Sequence, residues 1–128
     1  MCGLTGFLCG RGVRLPQGPR ELATGMAARL AHRGPDSAGA WSDDAAGVAL
    51  GHRRLAIVDL SPEGQQPMVS ASGRWVTAYN GEIYNFVELR RELEAAGAAF
   101  RGHSDTEVML AALDRWGLDA TLQRLVGM

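Results

Sequence analysis

Short apolar blocks separated by glycine, proline and polar residues divide the 128-residue chain into strand-like and helix-like segments. Residues 2–9 are apolar and interrupted by glycine, a pattern that predicts a buried strand. Residues 47–60 predict a second strand with a break near their paired arginines, and residues 75–80, rich in aromatic and β-branched side chains, predict a third. Turn-forming residues predict loops over 10–18, 32–39 and 61–67.

A helical spacing of apolar residues follows Pro19, which suits the first position of a helix. Leu22, Met26 and Leu30 then fall on one face of that helix. Residues 118–128 begin another short helix and end without a closing strand or a polar tail. The order of elements predicts a mixed α and β fold, and the abrupt end predicts a fragment of a larger domain.

Capping signals predict two further helices. Asn85 with Glu88, and Ser104 with Glu107, have the spacing of a capping box, in which both side chains accept backbone N–H bonds at a helix start. Glycine is favoured just after the last turn of a helix. The glycines predicted to end these two helices are Gly97 and Gly117.

The charge composition narrows the possible functions. A formal net charge of −1 argues against nucleic-acid and membrane-surface partners, which both favour a strongly basic protein. All 13 basic residues are arginine, so the chain offers no lysine for a Schiff base and no GK[ST] phosphate loop. No apolar run approaches the length of a membrane-spanning helix, and no secretory signal is visible at the N-terminus.

Cysteine and histidine usage predicts a cytoplasmic protein without a metal site. Cys2 and Cys9 are the only cysteines, and their spacing matches neither a zinc pattern nor a disulfide framework. The histidines His32, His52 and His103 are scattered along the chain. We therefore expect a reducing compartment and no metal ligands.

The first three residues, Met-Cys-Gly, are the first candidate for chemistry. Initiator Met is normally removed before a small residue, which would leave Cys2 at the N-terminus. A free α-amine is partly neutral at physiological pH and can take the proton of the adjacent thiol. The alternative, an ordinary cysteine in a first strand, is favoured when these three residues are taken alone.

The segment TAYNGEIYN, residues 77–85, is the second candidate. An Asn80 amide beside a Gly81 backbone N–H offers two donors, as an oxyanion hole requires, and Glu82 adds a carboxylate. The alternative is a plain Asn-Gly hairpin turn. A capped helix follows Gly81, which argues against a simple hairpin.

Charged residues in two further segments could bind a ligand. The paired arginines Arg53 and Arg54 enter an apolar strand, and arginine suits bidentate binding of a carboxylate. A solvated charge pair is the alternative. Asp105 lies in a first helical turn, where it could bind an ammonium group or act only at the helix start.

Taken together and in order, six segments resemble a known family. They are MCGLTGF, HRGPDSAG, GHRRLAIVDLS, QQP, YNGEIYNFVELR and SDTEV. The chain resembles the N-terminal glutaminase domain of glutamine-hydrolysing asparagine synthetases, which are class II amidotransferases of the N-terminal-nucleophile hydrolase superfamily. The resemblance covers residues 1–128 and implies an α+β fold, the four-layer αββα sandwich of that superfamily, here incomplete at the C-terminus.

The resemblance implies roles for named residues. Cys2 would attack the glutamine side-chain amide, with its own α-amine as base and then acid, and Asn80 and Gly81 would form the oxyanion hole. Arg54 would hold the glutamine α-carboxylate. The other residues implied to bind glutamine are Leu55, Ile57 and Val58, which would line the pocket, and Glu82 and Asp105, which would receive the α-ammonium. Arg53 and the three histidines receive no role.

The resemblance also implies partners and cofactors. The substrate would be L-glutamine, and ammonia would pass to a synthetase domain, in the same or a separate chain, that uses ATP and Mg²⁺ to convert aspartate to asparagine. That domain and its SGGxDS phosphate loop are absent from this sequence, so no cofactor is expected here. Three possibilities stay open. The chain could form a homo-oligomer, it could supply ammonia to another acceptor such as a sugar or a cell-envelope precursor, or it could be a non-catalytic interaction module.

Overall fold

The computed structural model describes residues 1–10, 13, 15–57 and 59–128. Within these ranges strands and α-helices are mixed along the chain, which confirms an α+β fold. The chain forms two compact units. The first unit contains Met1–Ala56, Gln65–Pro67 and Ala78–Asn80, and the second contains Ile57–Gly64, Met68–Thr77 and Gly81–Met128.

A three-stranded antiparallel sheet forms the centre of the first unit. Its strands are β1 (Gly3–Leu8), β2 (Ser37–Asp43) and β3 (Val48–Arg54), in the order β1-β3-β2. Gly3 pairs with Arg53, and Ser37 pairs with Arg54. The start of β1, the start of β2 and the end of β3 therefore meet at one end of the sheet.

Helix α1 (Pro19–Ala28) packs against this sheet, and Pro19 lies in its first turn as predicted. Its buried residues are Ala23 and Ala27. A Cβ at Gly51 of β3 would lie 2.6 Å from the Ala23 carbonyl oxygen, so only glycine allows this close approach of helix and strand. Small residues, rather than the predicted leucine and methionine face, therefore make the closest contact.

The predictions about strands and loops in the first unit are correct in part. The predicted loop 32–39 runs into β2, because its Ser-Ala-Gly-Ala residues gain their extended conformation from pairing with β3 rather than from intrinsic preference. The strand predicted over 47–60 is present as β3 and ends at Arg54, which confirms the break predicted near the paired arginines. The strand predicted at 2–9 is present as β1 but alternates in burial, with Leu8 75% exposed.

The second unit is built mainly from helices α2 (Phe86–Ala95), α3 (Asp105–Trp116) and α4 (Leu118–Arg124). A two-stranded antiparallel ladder, β4 (Met68–Val69) with β5 (Val76–Thr77), and a 3-10 turn at Pro62–Gly64 complete it. The predicted strand 75–80 thus forms a ladder over two residues only. The buried residues shared by α2 and α3 are Leu89, Leu93, Val108, Leu110 and Ala112.

The predicted helix starts have different outcomes. The Ser104 hydroxyl accepts from the Glu107 N–H at 3.2 Å, which confirms the cap of α3. Asn85 precedes α2 but makes no side-chain cap bond. Its amide instead accepts from the Val126 N–H at 2.9 Å and donates to the Arg124 carbonyl at 2.9 Å. The capping box predicted at Asn85 is therefore wrong.

The residues around the helix ends follow the prediction in part. Gly97 and Gly117 have φ values of 93° and 77°, the left-handed region expected after a helix. The helix predicted from residue 118 ends at Arg124, and Gly127 then forms an antiparallel bridge with Ile83. In the described parts of the chain, no helix combines the length and apolar character needed to cross a bilayer.

Candidate active site

Cys2 lies directly before β1, at the end of the sheet where β3 finishes. Its half-buried Sγ accepts a hydrogen bond from the Leu55 N–H at 3.3 Å. The thiol also donates to the Leu55 carbonyl oxygen at 3.6 Å. The sulfur of the predicted nucleophile thus bonds to the main-chain N–H and carbonyl of Leu55, the residue directly after Arg54.

Arg54 ends β3 and is 9% exposed. The chain after it is tied to Asp36, whose N–H donates to the Arg54 carbonyl at 3.0 Å. The Asp36 Oδ2 accepts from the Ala56 N–H at 2.8 Å. Sequence reasoning gave Asp36 no role, although an aspartate after Gly-Pro is a frequent backbone-binding side chain in loops.

Arg53, the neighbouring arginine, has a structural contact. Its Nε donates to the Gly34 carbonyl at 2.8 Å. Leu55, predicted as a pocket-lining residue, is half-buried and contacts the thiol through its main chain.

Asn80 ends the third segment of the first unit and is half-buried. Tyr79, the residue before Asn80, makes hydrogen bonds through both its N–H and its carbonyl. The Tyr79 N–H donates to the Gln66 Oε1 at 2.6 Å, and the His52 Nε2 lies 3.3 Å from the Tyr79 carbonyl oxygen. Because a carbonyl can only accept, His52 carries its proton on Nε2 in this contact.

His52 is 1% exposed and belongs to β3. Burial lowers the pKa of its imidazole; the bond to the Tyr79 carbonyl opposes this shift, and the nearby Arg54 charge adds to it. The ring is therefore neutral at neutral pH. Its Nδ1 is buried without a hydrogen-bond partner among the described residues.

Gly81 and Glu82 belong to the second unit and are exposed. The Glu82 N–H donates to the Met128 carbonyl, and the Met128 N–H donates to the Glu82 carbonyl, both at 2.9 Å. These bonds form an isolated antiparallel bridge centred on Ile83 and Gly127. The Glu82 side chain lies on the surface of this unit.

Asp105 begins α3, as predicted, and is 7% exposed. Its Oδ2 accepts from the Ile83 N–H at 2.9 Å and its Oδ1 from the Thr106 N–H at 2.8 Å. These two backbone donors fix the orientation of the Asp105 carboxyl group. The second unit therefore links Asp105 to the residue that follows Glu82.

Two further residues, Ile57 and Val58, were predicted to line the glutamine pocket. Ile57 is exposed in the second unit, and Val58 lies outside the described residues. In the described part of the chain, no group of three or more His, Cys, Asp or Glu side chains could hold a metal ion. None of the predicted site residues lines a cleft of about 370 Å³ in the second unit. Its lining residues are Met68, Val69, Ser70, Ala71, Ala99, Arg101, Glu107, Leu110 and Ala111.

Comparison with known proteins gives the family. Residues 1–128 match the model of the glutamine amidotransferase domain. The chain is 40% identical over its full length to asparagine synthetase [glutamine-hydrolyzing] 1 of Bacillus subtilis, of which it covers 20%. It is 41% identical over its full length to a putative asparagine synthetase [glutamine-hydrolyzing] of Mycobacterium tuberculosis, covering 21%.

A relative with a different name is similar at the same level. Amidase chry2 of Gibberella zeae is 39% identical over 92% of this chain, which covers 18% of that protein. The chain thus spans about a fifth of the length of these curated relatives. With its full length matched by the family model, the chain belongs to the glutamine amidotransferase domain family.

Proposed function

We propose that the chain hydrolyses the side-chain amide of L-glutamine to glutamate and ammonia, with Cys2 as the nucleophile. The observation that carries this proposal is the Cys2 thiol, bonded to the peptide groups directly after the buried Arg54. It occurs in a chain that matches the glutamine amidotransferase family over its full length. Cys2 precedes β1 and Arg54 ends the neighbouring strand β3. A thiol and a guanidinium on neighbouring strands suit a substrate with an amide at one end and a carboxylate at the other.

Removal of Met1 prepares the nucleophile. Met1 is 68% exposed, so a peptidase can reach it without a rearrangement of the sheet. The freed α-amine of Cys2 then takes the thiol proton while Sγ attacks the amide carbon of glutamine. The carbonyl oxygen becomes an oxyanion, which the Asn80 side-chain amide and the Gly81 N–H stabilise.

The tetrahedral intermediate collapses when the carbon–nitrogen bond breaks. The α-ammonium returns its proton to the leaving nitrogen, which departs as ammonia and leaves a thioester on Cys2. Water then attacks the thioester carbon and gives a proton to the α-amine. The second collapse breaks the carbon–sulfur bond, releases glutamate and restores the thiol.

The remaining site residues are proposed to hold glutamine in place. Arg54 binds the α-carboxylate through its planar fork of N–H donors. Glu82 and Asp105 receive the α-ammonium, and the backbone N–H bonds that fix the orientation of the Asp105 carboxyl group support this role. Leu55, Ile57 and Val58 line the pocket in the family pattern.

We further propose that the ammonia serves the ATP-dependent conversion of aspartate to asparagine, as the names of two relatives suggest. ATP activates the aspartate carboxylate in such a reaction. The present residues do not fit ATP and Mg²⁺, because the sequence has no lysine and no phosphate loop, so that step belongs to a synthetase domain. The proposed setting is the cytoplasm, and the proposed complete fold is the four-layer αββα sandwich.

A different ammonia acceptor is the second candidate function. It is favoured by the amidase that resembles this chain as closely as the synthetases do. Because acceptor choice belongs to the synthetase domain, the glutaminase mechanism would be the same. Assays of ammonia transfer to aspartate and to other carboxylic acids by the complete protein distinguish the two candidates.

Intact mass spectrometry with a glutamine-like electrophile, diazo-oxo-norleucine, tests the glutaminase proposal. We expect the purified chain to lack Met1, to gain one adduct on Cys2 and to release ammonia from glutamine. The Cys2→Ala variant should also lack Met1, but it should gain no adduct at residue 2 and release no ammonia. A chain that lacks Met1 but releases no ammonia would refute the proposed activity. Ammonia release from a chain that retains Met1 would refute the α-amine as the base, since that amine would then be blocked.

A further inference from the structure

Two consecutive peptide groups present opposite polar atoms to the Cys2 sulfur. The peptide between Arg54 and Leu55 donates its N–H to Sγ at 3.3 Å. The peptide between Leu55 and Ala56 accepts from the thiol through its carbonyl at 3.6 Å. The sulfur therefore has a donor that suits its thiolate form and an acceptor that suits its thiol form.

Asp36 binds the far side of both peptide groups. Its N–H donates to the Arg54 carbonyl at 3.0 Å, and its Oδ2 accepts from the Ala56 N–H at 2.8 Å. In a planar trans peptide the N–H and the carbonyl point in opposite directions. Asp36 thus fixes each peptide by one polar atom and leaves the opposite atom directed at the sulfur.

We propose that Asp36 is a positioning residue for the nucleophile, acting through the two peptides that flank Leu55. The Leu55 N–H stabilises the negative charge of the Cys2 thiolate. The Asp36 side chain keeps this N–H aligned on Sγ by holding the next peptide through the Ala56 N–H. The Leu55 carbonyl holds the thiol proton before attack. This inference rests on the proposed role of Cys2 as nucleophile and adds a residue outside the predicted set.

The reactivity of the Cys2 thiol toward iodoacetamide measures this effect directly. The reaction proceeds with or without Met1, and Cys9, the other cysteine, serves as an internal reference. Iodoacetamide alkylates the thiolate, and the Leu55 N–H is the hydrogen-bond donor that faces this sulfur, so displacing the donor should slow the reaction. For Asp36→Ala we expect alkylation of Cys2 to slow by about tenfold, the size expected for one hydrogen bond to a charged group.

Conservative and control variants separate positioning from general stability. Asp36→Asn keeps an oxygen acceptor for the Ala56 N–H and should restore most of the rate. Asp36→Glu keeps the charge but displaces it by one methylene group, so it should also react slowly and serves if Asp36→Ala does not fold. Asp43→Ala is the matched control, because Asp43 accepts from the Ala46 N–H at 3.0 Å at the opposite end of β2. It should react at the wild-type rate.

Glutamine kinetics provide the second measurement. We expect Asp36→Ala to lower kcat by about the same factor as the alkylation rate, with KM changed by less than about twofold, because the bond it removes, from the Ala56 N–H to Oδ2, positions the peptides at the sulfur. Wild-type alkylation rates in Asp36→Ala, equally slow Asp36→Asn, or a parallel change at Cys9 would each overturn the proposal. A wild-type chain that releases no ammonia, while Asp36→Ala still slows alkylation of Cys2, would refute the glutaminase function and leave the role of Asp36 supported.

Discussion

At the scale of single residues, His52 shows how a buried side chain can make stability depend on pH. Burial lowers the pKa of its imidazole below the ordinary value of 6.5. Between that value and the lowered one, the unfolded chain binds a proton that the folded chain excludes. The contribution of the neutral His52 imidazole to stability is therefore complete above pH 6.5. The free energy of unfolding decreases as the pH falls below that value.

The variant His52→Gln tests this pH dependence. A glutamine amide can still donate to the Tyr79 carbonyl but does not titrate, so we expect the loss of stability below pH 6.5 to shrink. Urea unfolding of both proteins above and well below this pH gives the comparison. The exposed His32 serves as a control, since His32→Gln should keep the wild-type pH dependence. Equal pH dependence in His52→Gln would contradict the prediction.

The Asn80 side chain is predicted to act mainly on the transition state. Loss of one oxyanion donor typically lowers kcat by about 10²–10³-fold, and we expect Asn80→Ala to fall in this range with little change in KM. Steady-state ammonia release from glutamine measures both constants. Asn85→Ala is the control, because it removes bonds to Arg124 and Val126 and should lower Tm while retaining kcat. A raised KM at unchanged kcat for Asn80→Ala would assign Asn80 to substrate binding instead.

At the scale of elements, the pairing of residues 126–128 with 82–84 depends on one glycine. A Cβ at Gly127 would overlap the Glu82 carbonyl oxygen and lie 3.0 Å from the Ile83 Cα. We expect Gly127→Ala to lower the free energy of unfolding by about 1–3 kcal/mol, the usual cost of overpacking. Urea unfolding measures it, and Gly25→Ala, in open space on α1, should be neutral or stabilising. Wild-type stability in Gly127→Ala would contradict this prediction, because residues 126–128 would then shift without lowering the free energy of unfolding.

Local signals explain which elements the sequence predicts correctly. Pro19 and Ser104 mark helix starts because their effects need only the neighbouring residues. Strand β2 was missed because its extended form depends on β3. The cap predicted at Asn85 failed for a similar reason, since Arg124 and Val126, distant in sequence, take its amide.

The same distinction holds for the candidate site. Motifs identified Cys2, Asn80 and Arg54 as candidates, because the family resemblance is carried by the residues themselves. The support given by Asp36 and His52 could not be predicted, since it depends on the antiparallel register that places Ser37 opposite Arg54 and Gly39 opposite His52. Side chains that bind backbone leave little pattern in a single sequence.

At the scale of the whole molecule, we expect the chain to release ammonia from glutamine without using that ammonia to make asparagine. It covers about a fifth of its synthetase relatives, and it has no lysine and no phosphate loop with which to bind ATP. We expect the purified chain, given glutamine labelled with ¹⁵N in its amide, to release labelled ammonia at a rate that ATP, Mg²⁺ and aspartate do not change. Mass spectrometry of the products should find labelled ammonia and no labelled asparagine.

The control for this experiment is the complete synthetase from Bacillus subtilis, which resembles this chain at 40% identity. Its name describes glutamine-dependent asparagine synthesis, so labelled asparagine is expected there under the same conditions. Labelled asparagine from the present chain alone would contradict this prediction, because it would require an ATP site without a lysine and without a phosphate loop. Ammonia release stimulated by ATP would contradict it equally, since nucleotide binding would then have to act on the Cys2 site within these 128 residues.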